Sequence, residues 1–189
     1  MGIAQIARTN IATNIPVTID PVIVLIARFT LSWLFLASAS DKLKDVGDFR
    51  GVFATYRVLP DHLVGAAAWF VVAAELAVGI GALVQFGPAY VGAVLLLLAY
   101  AGGMVINLQR GRRFIDCGCG GTAQPLSVGL VVRNLVLSTG ALIALSPTLT
   151  RPLGWLDIVS VIVGGAVIGA LYAAINELLA ARARLEEWV

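Results

Sequence analysis

Five separate stretches of about twenty mainly apolar residues constrain this chain more than anything else in it. A hydrocarbon core of ~30 Å takes about 20 residues of α-helix to cross, and a lone segment satisfies its backbone there only as a helix. The windows cover residues 21–39, 63–86, 88–108, 125–145 and 155–179. With 59% apolar and 13% charged residues in 189, the chain has too little polar surface to cover a water-soluble globule of its size. The expectation is an all-α, polytopic membrane bundle of about five transmembrane helices, a four-helix core plus one, with the lipid bilayer as its solvent. An N-terminal arm fills residues 1–20, the bundle 21–180 and a tail 181–189. The arm lacks the continuous apolar core of a cleaved signal peptide and reads as a retained, interfacial segment.

Gln85-Phe86-Gly87-Pro88 makes a tight turn, because Pro88 opens a helix but cannot continue one. The second and third spans are therefore an antiparallel hairpin. Residues 146–152, with two prolines, form a similarly short turn between the fourth and fifth spans. The 40–62 loop, the 109–124 loop and the tail all emerge on the other face. Glycines 79, 81, 102, 103, 164, 165 and 169 fall inside spans, where small residues let helices approach closely. Trp33, Trp69 and Trp155 read as interface anchors or packing. A net charge of +2, with basic residues in short loops rather than along a face, excludes nucleic acid as a partner.

Three ionisable residues, Arg28, Glu75 and Arg133, fall within spans, where an ionised group without a partner costs on the order of 2.5–3.5 kcal/mol on insertion scales. At 1.5 Å per residue, Arg28 and Glu75 come to nearly the same depth, so a pair between them is geometrically allowed. Arg133, with Asn134 beside it, lies about 12 Å below the 109–124 loop and could reach toward Glu75 or hold an anionic or quinone-like group. Two readings stand side by side. One is a structural polar network that fixes helix register; the other is a polar pocket accepting a small redox partner or conducting protons.

The chain has two cysteines, Cys117 and Cys119, in Asp116-Cys117-Gly118-Cys119-Gly120-Gly121, just after Arg110, Arg112 and Arg113. Two cysteines cannot make a disulfide framework, nor complete the four-ligand set of a structural zinc site. With His62 the only histidine, no metal centre is expected. The arginines, and the positive end of a fourth helix opened by Pro125, favour thiolate, while Asp116 opposes it. A disulfide across one intervening glycine is strained, and strained exposed disulfides are the exchangeable kind. The bland alternative is a pair of unpaired surface thiols.

Taken together, Ser40-Asp41-Lys42-Leu43 at the end of the first span, Glu75 in the second, and Asp116-Cys117-Gly118-Cys119-Gly120 ahead of Pro125-Leu126-Ser127 and Arg133-Asn134 resemble the MauE family of methylamine utilisation proteins, within the wider DoxX-like group. The resemblance covers residues 22–145. It implies a bacterial inner-membrane accessory factor for maturing the disulfide-rich small subunit of methylamine dehydrogenase, alongside a thioredoxin-like MauD-type partner on the periplasmic side. On that resemblance Cys117 and Cys119 are the redox pair, and Glu75, Arg133 and Asn134 are motif positions without an assigned role. An architectural analogy to quinone-coupled disulfide-forming membrane enzymes points to a quinone as the candidate cofactor.

Sidedness sets two arguments against each other. Nine Lys and Arg lie on the cysteine face against Arg8 and Arg151 opposite, which by the positive-inside rule makes that face cytoplasmic. Disulfide formation in a periplasmic client needs the reverse. The function that follows is a membrane thiol-disulfide redox and maturation factor. The competing readings are a non-catalytic scaffold for the thioredoxin-like partner, and a small-solute carrier using the Arg28, Glu75 and Arg133 core.

Overall fold

The computed structural model describes residues 18–118 and 124–186, and these form helices joined by turns and loops, without a β-strand. Five helices are long and apolar enough to span a bilayer: α1 (Pro21–Lys44), α3 (Asp61–Leu83), α4 (Gly87–Gln109), α5 (Val128–Leu145) and α6 (Trp155–Glu186). A shorter helix, α2 (Val46–Thr55), sits between α1 and α3. The five spans fall where the apolar windows put them, with α1 running five residues and α6 seven residues further than the sequence suggests.

Local chemistry sets the ends. The Asp20 carboxylate accepts the Val22 N–H at 2.9 Å, and Pro21 occupies the first turn, so α1 starts on a capped, preset backbone. Asp45 does the same for α2, accepting from Asp48 N at 2.8 Å. Between α3 and α4 the chain reverses through Gln85 at φ +59°, and Phe86 N donates to Gly81 O at 2.7 Å. The hairpin is as tight as Pro88 requires. Pro125 behaves otherwise than expected. It is not in a helix but pairs in an isolated bridge with Asp116, and α5 begins at Val128 after extended Ser127.

The core lies between α1, α3, α4 and α5, with Phe35, Val78, Tyr90, Leu97 and Ala141 buried together. Helices α4 and α5 share the largest contact, followed by α1 and α3. Glycines permit several close approaches: a Cβ at Gly79 would lie 2.8 Å from Leu36, and one at Gly164 would lie 2.6 Å from Ile26. By contrast Gly102 and Gly165 face open space. Helix α6 packs on α1 alone over most of its length, and Trp33 meets Tyr172 edge-on there at 6.4 Å between centroids. Trp33 is thus midway along α1, a packing residue and not an interface anchor.

One face carries α2, the cysteine loop and the C-terminal end of α6. The other is closed by the Gln85 turn and by Arg151, which bridges Asp20 at 3.1 Å and Asp157 at 2.8 Å. The N-terminal arm before residue 18, and Cys119 through Ala123, lie outside the described residues.

Candidate functional site: a buried cysteine above a polar cluster

Cys117 is the centre of the site and it is buried, 8% exposed, rather than lying on an open loop. Its segment is stitched in place. Asp116 Oδ1 accepts from Gly118 N at 3.1 Å and Gln124 N at 3.2 Å, so one carboxylate ties the two ends of the cysteine loop together. Cys117 N donates to Gln124 O at 2.9 Å, and Leu126 N to Arg113 O at 2.9 Å. The Tyr56 hydroxyl donates to the Cys117 carbonyl at 2.9 Å, and Sγ lies 4.0 Å from Gln124 Oε1. Gly118 has φ +65°, which L side chains rarely adopt, and so holds the turn after the cysteine. Asp116 therefore acts first as the clasp of the loop. Cys117 packs against Met104, Leu126 and Leu130, which accounts for its burial.

Two of the three arginines expected to favour thiolate are bonded elsewhere. Arg110 Nη1 donates to Arg57 O and Arg112 Nη1 to Thr55 O, both at 3.1 Å, fastening the loop to the C-terminal end of α2.

Beneath this loop lies a cluster built around Glu75, which is fully buried. Its Oε1 accepts from Lys42 Nζ at 3.0 Å, Ser38 Oγ at 3.0 Å and Tyr100 OH at 2.6 Å. Lys42 also donates to Ser38 at 2.6 Å and stands over the Phe49 ring, 5.3 Å from its centroid. Burying a carboxylate is costly unless it is paired and hydrogen-bonded, and here an ammonium and two hydroxyls face it. Lys42, the cation of this cluster, is a residue that sequence reasoning counted with the loop after the first span.

The Arg28–Glu75 pair that depth alone would allow does not form. Helices α1 and α3 run with Ser32 facing Gly79 and Ser38 facing Glu75, so the first two turns of α1 stand beyond the end of α3. Arg28 is consequently level with the turn, where it donates to Gln85 Oε1 at 3.2 Å and Ala144 O at 3.1 Å and lies over Tyr90. It is a clamp at the far face. Arg133 does not approach Glu75 either. Its Nη1 donates to Asn176 Oδ1 on α6 at 2.7 Å, and its guanidinium lies over Tyr172. Asn134 bonds back to Leu130 O at 2.9 Å, within its own helix. The seven residues marked out by sequence thus divide. Cys117 and Asp116 share the loop, Glu75 lies in the cluster below, Arg133 and Asn134 belong to the α5 packing, Arg28 is at the opposite face, and Cys119 is outside the described residues.

A cavity of about 300 Å³ joins the loop to the cluster. Cys117 and Gly118 border it on one side, Lys42 and Tyr100 on another, and Phe49, Phe53 and Tyr56 supply aromatic walls. A more polar hollow, lined by Asp41, Lys44, Asp45, Asp48 and Asp116, adjoins it and shares Lys42, Phe49, Val52 and Gly118. Among the described residues no group of histidine, cysteine and carboxylate is arranged to hold a metal.

These features define a class: a polytopic α-helical membrane protein with a cysteine seated at one face above a buried ion pair. The family model for methylamine utilisation protein MauE matches residues 20–147, and the chain belongs to the MauE family. The methylamine utilization protein MauE of Paracoccus denitrificans is 44% identical over 128 residues, covering 66% of this chain and 69% of that one. The one from Paracoccus versutus is 36% identical over 165 residues, 84% of this chain and 88% of its own. That of Methylophilus methylotrophus is 30% identical over 131 residues. No solved structure matches the chain.

Proposed function

We propose that this MauE protein is an inner-membrane thiol-disulfide redox factor in which Cys117 and Cys119 exchange a disulfide with a thioredoxin-like, MauD-type partner. The client is the small subunit of methylamine dehydrogenase, whose maturation the exchange supports. The observation that carries the reading is the seating of Cys117, held by Asp116, Gln124 and Tyr56 between a polar hollow and an apolar cavity. A loop fastened at both ends fixes one sulfur, and the residue between the two cysteines is a glycine at φ +65°.

Exchange runs through a mixed disulfide: a thiolate attacks one sulfur of the partner's disulfide, a new S–S bond forms, and the partner's other sulfur leaves as thiolate. The second cysteine then attacks and frees the partner in its reduced form. Run in the opposite direction, the oxidised pair takes two electrons from a client dithiol. For a periplasmic client this requires the cysteine face to be periplasmic.

The test is a trapping experiment in which Cys117→Ser and Cys119→Ser are made singly, so that the remaining thiol cannot be resolved. One of the two variants should accumulate a covalent complex with the thioredoxin-like protein that dissolves on reduction, and the double variant should form none. Absence of any such complex from both single variants, with partner association intact, would make the protein a scaffold.

A further inference from the structure

Two of the cavity's features do not belong to disulfide exchange with a protein partner. Its outer rim is apolar and exposed: Phe70, Val58 and Leu59 line it, and Phe70 is 71% exposed on α3, a helix long and apolar enough to span a bilayer. Its inner end is polar, with a charge that has spare bonding capacity. The Lys42 ammonium has three N–H groups; Ser38 and Glu75 take two of them. The Glu75 Oε2, fully buried, has no hydrogen-bond partner among the described residues. An apolar, aromatic-walled chamber opening toward hydrocarbon, with one N–H donor at its end and a cysteine at its side, suits a flat, uncharged ring bearing a carbonyl acceptor.

We infer that this chamber between α2, α3 and α4 binds the ring of a lipid-soluble quinone, and that Lys42 donates its remaining N–H to a ring carbonyl. The site differs from the one expected at Arg133, whose Nη1 is committed to Asn176. This inference rests on the redox reading of Cys117 for its chemistry, but not for its binding. In the reaction the two S–H bonds of reduced Cys117 and Cys119 break, one S–S bond forms, and both electrons and both protons pass to the quinone oxygens, giving the hydroquinone. Lys42 supplies a proton to the carbonyl it holds and regains one from the thiol, with Glu75 compensating its charge. The pair is thereby returned to the disulfide that exchange consumes.

Gly103 offers a way to close the chamber without touching either end. It lines the cavity, and a Cβ placed there would meet only the Tyr56 ring, at 3.6 Å. Gly103→Leu therefore puts a side chain where the ring would lie. The experiment uses protein in lipid nanodiscs, photolabelled with a short-tailed azidoquinone and competed with excess decylubiquinone. Binding is measured in the Cys117→Ser/Cys119→Ser protein, where no thiol chemistry occurs, and labelled peptides are mapped in the wild type.

The expected result is competable labelling on α2, α3 or α4, with affinity reduced at least about tenfold, on the order of 1.4 kcal/mol, by Gly103→Leu. Labelling that decylubiquinone does not displace, labelling confined to other helices, or no labelling at all overturns the inference, and wild-type mapping decides this even if Gly103→Leu fails to fold. Mixed-disulfide trapping without quinone labelling would leave the exchange reading standing and remove this one. Labelling at the chamber with no trapped partner would do the opposite.

Discussion

Lys42 Nζ lies 3.0 Å from Glu75 Oε1 with both side chains almost sealed, 4% and 1% exposed. The pair joins the end of α1 to the middle of α3 directly below the cysteine loop, and it determines how the polar interior responds to substitution. Removing one member of a buried pair strands the other, at a cost of about 3–5 kcal/mol, whereas removing both for apolar residues is often close to neutral. Glu75→Gln and Lys42→Met should each lower the unfolding midpoint of the detergent-purified protein sharply. Lys42→Met/Glu75→Leu should recover most of the loss. If the double variant is as unstable as the singles, the pair is not an isolated electrostatic unit.

Arg28 serves as the contrast. It holds the far face through Gln85 and Ala144 and has no path to the cavity. Arg28→Met should lower thermal stability by about 1–3 kcal/mol, the cost of stranding the acceptors of a charged donor. It should leave the alkylation rate of Cys117 at its wild-type value. A changed alkylation rate would mean that the two faces are coupled through the bundle.

The Asp116 clasp gives a prediction about reactivity. Asp116→Ala removes the acceptor shared by Gly118 N and Gln124 N. The loop should open and Cys117 should react with a small maleimide several-fold faster than in the wild type. Asp116→Asn keeps an acceptor oxygen and should change the rate little. Equal acceleration by both would show that the carboxylate's charge matters more than its bonds.

Sidedness follows from the proposed client. A membrane-impermeant maleimide applied to intact cells should label the cysteines after mild reduction and not before. The nine basic residues counted on that face include Lys42, which is buried against Glu75 and is not a loop charge at all. Labelling obtained only after the membrane is opened would contradict the proposed maturation role.

The Asp20–Arg151 bridge is a pH-dependent fastening. The Arg151 guanidinium, followed by the Val22 N–H, holds the Asp20 carboxyl below its ordinary value of 3.8. A depressed carboxylate contributes stability that is fully present above the unfolded pKa and lost as pH falls through the folded one. Thermal stability of the purified protein should thus show an acid limb that begins near pH 4 and drops below it, and Arg151→Gln should flatten that limb. The bridge is exposed, so added salt should shrink the difference.

Much of this architecture is legible from hydropathy alone, because a bilayer leaves a chain few options. Five apolar windows, Pro88 and the prolines of the last turn suffice for the spans, the hairpin and the one-sided placement of the loops. Helix α2 was readable too, since Val46, Phe49 and Phe53 recur at helical spacing, but its ten residues lie in a segment that charge makes look like a loop. The pairing of the interior charges was not readable. Counting residues from a helix end gives depth only if the ends are level, and α1 overshoots α3 by about two turns. Azimuth is missing as well: nothing local says that Arg133 turns toward Asn176. Lys42 was hidden because it follows the apolar run by three residues, where a lysine ordinarily reaches water. The resemblance to MauE, carried by Glu75, the cysteine segment and Arg133-Asn134, identified the family that the comparisons establish.

The Arg133–Asn176 bond links the region matched by the family model, which ends at residue 147, to a helix beyond it. That makes α6 more than an appendage to be gained or lost freely in descent. A lineage that discards or replaces α6 takes away the Asn176 amide acceptor of this guanidinium and the Tyr172 ring beneath it, so the surroundings of position 133 change with the last helix. The last helix and the first third of α5 are accordingly linked in descent, so that a change at Asn176 bears on Arg133 and the reverse.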